Sequence, residues 1–443
     1  MCWGEKLSNG KRKISKSKLL VSVAATAFFL CLTPQGKEPT VHKYTLKNGL
    51  EVILRPVPQS KNVALVVLFD IGGDHDPAGS SGLGHLVEHL YVTSAAGTAK
   101  ARGIQDFVSL YPQGWNAQTG DRYTVLATVF PPPRLEVEMA DSCSRMRELR
   151  VSAQDLRREK PRIAAELNNM FSSIPALAAH NNARELIRPT PQSGRKGGLV
   201  EEVNSITLEQ VKARLARYYK PKNAVLILAG RFDPEGVQKI IEGCFGNVPP
   251  GERAPAPAEP GPPKGKTLKI IRAEGAAQIP VACVAYRAPL PGHEAYPAFV
   301  LCASLLQTRS WKLGSGQYTV NFAPLDDPEL LAVSAQLKTG ESAEEAVGRI
   351  KNFVSQSLRV PLRPEDIQLA NNMFGFLLGT QELPETALAS NCYGLAFSLG
   401  RRHQLGIDSI KLGNGWASLS RKELSRAAAE YFAESNSAVV VVQ

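Results

Sequence analysis

Cysteine is thinly scattered through this 443-residue chain, and no two cysteines form a C-x-x-C pair. Cys2, Cys31, Cys143, Cys244, Cys283, Cys302 and Cys392 follow neither a disulfide framework nor the spacing of a cysteine-based metal site. Several lie in apolar runs, where they read as small core residues.

Long apolar runs are scarce too. Residues 19–32, LLVSVAATAFFLCL, are too few for an ordinary membrane span. They follow a start rich in Lys6, Lys11, Arg12, Lys13, Lys16 and Lys18, the order of an export signal. The expectation is a chain exported to the bacterial periplasm, with membrane association through residues 19–32 as the alternative.

The formal charge of +11 is concentrated at that start. Elsewhere there is no long basic block and no alternation of basic and aromatic residues, which excludes a nucleic-acid partner. With 43% hydrophobic and 21% charged residues, the chain can bury a sizeable core in two or more domains.

A Pro/Gly/Ala-rich segment, 248–265, cannot sustain a helix or a central strand and reads as a stiff linker. It divides a targeting segment (1–40) and a first domain (41–247) from a second domain (266–443). The first domain opens on YTLKNGLEVILRPV, which alternates about Asn48-Gly49 as a hairpin does. It closes on a helix capped by Thr207 and a strand beginning AVLIL. The second closes on a helix capped by Ser420 and the strand AVVVV. Thr207 matches Ser420, Val211 matches Leu424, Leu215 matches Ala428, Tyr218 matches Tyr431 and Asn223 matches Asn436, all at an offset of 213 residues. A recurrence in register points to duplication. The predicted fold class is α+β: two homologous lobes, each a mostly antiparallel sheet with helices on one face.

Histidine is also sparse, with seven in the chain, so the run His85-Leu86-Val87-Glu88-His89 stands out. An accidental H-x-x-E-H should arise on the order of once in a hundred such chains. On a helix, His85 and His89 share a face and can offer two imidazoles to one metal ion. Glu88 lies beside that face, placed to take a proton from water. Leu83, Leu86, Val87 and Leu90 would bury the other side. A catalytic zinc needs a third protein ligand and one open position. Carboxylates are the natural candidates, and the stretch DLRREKPRIAAELNNM offers Glu159 and Glu166. Seven residues make nearly two helical turns, so the two can share a direction. Pro161, between them, should kink that helix or begin a new one. Glu166, in the apolar stretch IAAEL, is the expected buried ligand.

GLGHLVEHLY resembles the metal-binding helix of the insulinase/pitrilysin family of zinc metallopeptidases, especially its short bacterial and mitochondrial-processing-type members. The resemblance implies one Zn2+ per chain on His85, His89 and Glu166, with Glu88 as general base. Glu159, by its place either a carboxylate supporting a ligand from behind or one on the surface, falls on a further acidic position of the family and joins Glu88 as a catalytic candidate. GWNAQTGDRYT resembles the family's edge-strand region, which makes Asn116 a substrate-backbone contact. The implied activity is zinc-dependent endopeptidase action on peptides or unfolded segments. The implied assembly is a homodimer or a heterodimer with a related subunit. The second half lacks a clear Gly-rich segment and Arg/Tyr pair of active members, so a non-catalytic assembly subunit is the alternative.

Overall fold

Alternation on either side of Asn48-Gly49 becomes the antiparallel pair β1 (His42–Thr45) and β2 (Glu51–Pro56), with Gly49 at φ +89 in the turn. The computed structural model describes residues 41–172, 175–189, 197–257, 261, 268–271, 279–314, 316–359 and 363–443. Residues 1–40, with the predicted targeting segment, Cys2 and Cys31, lie outside the described residues. Thr40–Gln443 forms one compact unit.

The other strands are β3 (Val63–Phe69), β4 (Ala95–Ala96), β5 (Trp115–Thr119), β6 (Thr124–Phe130), β7 (Leu149–Arg150), β8 (Ala224–Gly230), β9 (Leu268–Ile271), β10 (Val281–Arg287), β11 (Thr319–Ala323), β12 (Asp327–Gln336) and β13 (Ser437–Val442). The first sheet runs β1-β2-β8-β3-β6-β5, and the second runs β11-β12-β10-β13-β9. In both, the last strand of its half (β8 or β13) lies between one parallel neighbour (β2 or β9) and one antiparallel neighbour (β3 or β10). A long antiparallel hairpin partner follows, then a short edge strand. The two lobes are therefore homologous in topology. The small pair β4 and β7 stands apart.

The 213-residue repeat holds in atomic detail. The helices Leu208–Tyr218 and Arg421–Tyr431 both begin with capping boxes, Thr207 with Gln210 and Ser420 with Glu423. Each is followed by an asparagine whose side-chain amide donates to the last helical carbonyl: Asn223 to Tyr218 at 3.1 Å and Asn436 to Tyr431 at 2.7 Å. The strands then start at Ala224 and Ser437.

The expectation of helices on one face only is corrected. One face of the first sheet packs on helices of its own half, through Leu65, Val67 and Phe69. The other face, with Ala64, Val66 and Leu68, is covered by Cys392–Gln404 from the second half. Reciprocally, helix Pro175–Ile187 of the first half covers β10 and β13. Each lobe thus lends the other a helix. Gly400 makes the first contact close: a Cβ there would lie 2.3 Å from Leu68 Cδ1 and 2.7 Å from Ile227 Cδ1. Sheet faces buried on both sides explain why these strands read as continuous apolar runs.

Buried charge ties the exchange together. Arg188, 1% exposed, meets Asp74 at 3.0 Å, Glu329 at 3.2 Å and Asp121. Arg184 bridges Asp121 and, at 3.1 Å, Asp327. The described part of the predicted linker has neither helix nor strand, but it is no free spacer. Glu252 N donates to Arg217 O at 2.7 Å and Ala254 N to Asn223 Oδ1 at 2.9 Å, which pins it to the first half.

Candidate metal centre

The H-x-x-E-H run lies on helix Leu83–Thr93, as its spacing requires. Leu86, Val87 and Leu90 are fully buried against the first sheet, which fixes the helix on its support. Its N-cap is Gly82, which has no side chain to cap with; Asp76 does that work from six residues upstream. Asp76 Oδ2 accepts from Gly82 N at 2.8 Å and Oδ1 from Gly84 N at 3.0 Å, and Arg214 pairs with the same carboxylate at 2.9 Å. Gly82 is required: it sits at φ +89, and a Cβ would lie 2.5 Å from Val203 Cγ2.

The second carboxylate-bearing element, Ala153–Ser172, is one continuous helix with Pro161 inside it. Of the two expectations at Pro161, a kink or a new helix, the second is set aside. Proline removes one backbone N–H and with it one helical bond, but packing of Leu156, Ile163 and Leu167 in the core holds the helix through it. Glu159 and Glu166 consequently both reach His89, at opposite ring nitrogens.

His85, His89 and Glu166 present ligand atoms within 4.8 Å of one another. Glu166 Oε2 lies 3.7 Å from His85 Nε2 and 3.5 Å from His89 Nε2. Tetrahedral zinc with bonds near 2.1 Å would set its ligands about 3.4 Å apart. The donor set of two imidazoles and a carboxylate therefore suits zinc in chemistry and in spacing. Among the described residues no other group of three such side chains is found.

The rear nitrogens are engaged. His85 Nδ1 lies 3.2 Å from the Gly197 carbonyl, and His89 Nδ1 lies 3.4 Å from Glu159 Oε2. Each contact turns Nε2 toward Glu166. Glu159 is 1% exposed and also accepts from Arg158 at 2.7 Å and Arg162 at 2.9 Å. Burial would raise its carboxyl, but His89, Arg158 and Arg162 together hold it down at about 2. At His89, burial opposes a charge, yet Glu159 and Glu166 outweigh it and push the pKa up to about 9.

One expectation changes here: Glu166 is not buried, its side chain being 49% exposed with one edge on the histidines. Glu159 lies buried behind His89, where a supporting carboxylate would sit, and is not a surface carboxylate.

Glu88 is buried beside the ligands, and its Oε2 accepts from Thr119 Oγ1 at 2.6 Å. Thr119 ends β5, an edge strand paired only with β6. Asn116, on the same strand, donates its side-chain amide to Tyr393 OH of the second half at 2.8 Å. Gln118 reaches Asp326 at 2.6 Å. The side chains of β5 are tied to the fold on both faces.

Comparison with known proteins finds relatives named zinc proteases and the same fold in solved structures. Residues 205–374 match the family model described as the peptidase M16 inactive domain. Zinc protease PqqE of Helicobacter pylori is 25% identical over 236 residues, 52% of this chain and 51% of that protein. The solved protease from Helicobacter pylori superposes with a TM-score of 0.78 at 19% identity, over 91% of this chain and all of that one. The chain resembles the insulinase/pitrilysin family, peptidase M16, in its fold, in the family model over 205–374 and in its zinc-protease relatives. The periplasmic protease PqqL from Escherichia coli has a TM-score of 0.67 at 16% identity, over 93% of this chain but 48% of that one. The chain spans about half the length of the curated relatives it matches. The residues matched by the inactive-domain model begin after the metal cluster, so His85, Glu88, His89, Glu159 and Glu166 all lie outside that match.

Sequence reasoning did not single out Thr119, Tyr393, Arg158 or Arg162. Thr119 lay inside the quoted edge-strand segment, but nothing in a linear pattern ties it to Glu88. Gly197 acts through its carbonyl, which no side-chain motif can reveal. Among the described residues, no helix is long and apolar enough to cross a membrane.

Proposed function

We propose that the chain is a zinc-dependent endopeptidase acting on peptides or unfolded polypeptide segments. The observation that carries this reading is the convergence of His85, His89 and Glu166 with Glu88 beside them, under the end of an open edge strand.

An extended peptide would add to the edge of β5, held by backbone hydrogen bonds that are indifferent to sequence. With the Asn116 side chain spent on Tyr393, the strand's backbone edge would supply that recognition. Bound zinc would supply Lewis acidity toward the peptide carbonyl and water. Glu88 would accept the proton of the attacking water and pass it to the leaving amine. Glu159 and the Gly197 carbonyl would keep the two imidazoles oriented, and Arg158 and Arg162 would keep Glu159 charged.

We read the assembly as a pair, either two copies or this chain with a related subunit. The support is the length of PqqL, about twice this chain. Export to the periplasm is the reading of residues 1–32, and the division into domains 41–247 and 266–443 joined by 248–265 follows the repeat. The second reading, a non-catalytic assembly subunit, is favoured by the inactive-domain match over 205–374.

The test uses the full chain, with and without a related subunit encoded beside it. Bound zinc is measured, and cleavage of an unstructured peptide library is compared with Glu88→Gln. About one zinc per chain, with cleavage lost in the variant, is expected. Zinc without cleavage under either condition would establish the assembly role, and a chain that takes up no zinc would overturn the site.

A further inference from the structure

We propose that Thr119 is a positioning residue that holds Glu88 away from the metal and so reserves it as the base. This inference rests on the metal-site reading above. Carboxylates are themselves good zinc ligands, and Glu88 directly precedes the ligand His89 on the same helix. An unrestrained carboxylate there would be drawn into the open coordination position, which water needs. The opposing contact is the 2.6 Å hydrogen bond from Thr119 Oγ1 to Glu88 Oε2, at the short end of the range for a hydroxyl donor. The same hydroxyl has a second acceptor, the Gly84 carbonyl, at 3.5 Å. Its single proton goes to the nearer partner, Glu88.

A restraint works only if its anchor is rigid, and Thr119 has such an anchor. The next two residues are clamped by backbone hydrogen bonds, Gly73 N to Gly120 O at 3.0 Å and Asp74 N to Asp121 O at 2.8 Å. The approach is close enough that a Cβ on Gly72 would lie 2.3 Å from Gly120 O. The Asp121 carboxylate is in turn gripped by Arg184 and Arg188, which reach Asp327 and Glu329 on β12. The second half, which adds no residue to the His85–His89–Glu166 group, thereby fixes the position of the base through Thr119.

The test measures the Co2+-loaded full chain by visible absorption, with Thr119→Val, Thr119→Ala, Thr119→Ser, Glu88→Gln and the double variant Thr119→Val/Glu88→Gln. Far-ultraviolet circular dichroism confirms folding, and Thr119→Ala serves if Thr119→Val does not fold. Thr119→Val should shift the d–d bands as Glu88 joins the metal, Thr119→Ser should restore the native spectrum, and adding Glu88→Gln should cancel the shift. With zinc, Thr119→Val should lower kcat by about 10- to 100-fold at nearly unchanged KM, since it removes part of the acid–base contribution. A native spectrum in both Thr119→Val and Thr119→Ala, or a shift that persists in the double variant, overturns the proposal. A chain that binds no Co2+ overturns both the metal site and this inference. Native Co2+ uptake with no peptide cleavage overturns only the peptidase reading, and the spectra still decide the role of Thr119.

Discussion

Glu159 Oε2 stands 3.4 Å behind His89 Nδ1, so the carboxylate that never meets the open side of the site decides where that imidazole points. Its own position is secured by Arg158 and Arg162 on the same helix. Glu159→Gln keeps the shape and removes the charge. Zinc affinity is expected to fall by about 10- to 100-fold, read by competition with a chromophoric chelator.

Glu166 and Glu88 should separate metal retention from chemistry. Glu166→Ala removes one of three ligands and should lower zinc occupancy sharply, whereas Glu88→Gln should keep it near one equivalent. Metal analysis after dialysis checks both. Equal retention would mean that Glu166 is not the third ligand.

Arg188 joins the halves by pairing with Asp74, Asp121 and Glu329 while almost fully buried. Arg188→Met leaves those carboxylates short of a partner and should cost about 3–5 kcal/mol. Urea unfolding followed in parallel by tryptophan fluorescence and circular dichroism measures the loss. Because the residue links both lobes, the two signals should shift together.

His75 predicts a stability that falls in acid. Its Nδ1 accepts from Gly72 N at 3.1 Å, and burial, reinforced by Arg214, pushes its pKa down to about 4. The unfolded chain would take up the proton near pH 6.5, before the folded one does. Stability is therefore fully present above pH 6.5 and is lost as pH falls toward 4, by at most about 3 kcal/mol. Urea unfolding of His75→Gln from pH 4.5 to 8 should show a flatter profile than the parent chain. An unchanged slope would assign the acid sensitivity elsewhere.

Much of the fold is legible in local pattern. Asn48-Gly49 marks its hairpin because Gly49 takes the positive φ that follows the Leu46–Gly49 turn, closed by Gly49 N on Leu46 O at 2.9 Å, and the Thr207 and Ser420 capping boxes appear where the sequence places them. Pro161 misleads for a physical reason. It costs one hydrogen bond, a local penalty, whereas the apolar face carrying Leu156, Ile163 and Leu167 is paid back only by tertiary packing. The second half also hides the helices Cys392–Gln404 and Ser409–Ala417, the first of which has its partner surface on the other lobe.

The sequence by itself determines the chemistry on offer: His85, Glu88 and His89 share one helix because a period of 3.6 puts them there, and the 213-residue repeat makes two lobes of one topology. The tertiary structure decides everything that depends on distance in space. It brings Glu166 to the histidines along a helix that runs on through Pro161, sends Glu159 behind His89, leaves Glu166 half in solvent and joins Thr119 to Glu88. It also exchanges Pro175–Ile187 for Cys392–Gln404 between the lobes. Periodicity records which side of an element is apolar, but which neighbour covers it is set by long-range packing, and a linear pattern does not contain that information.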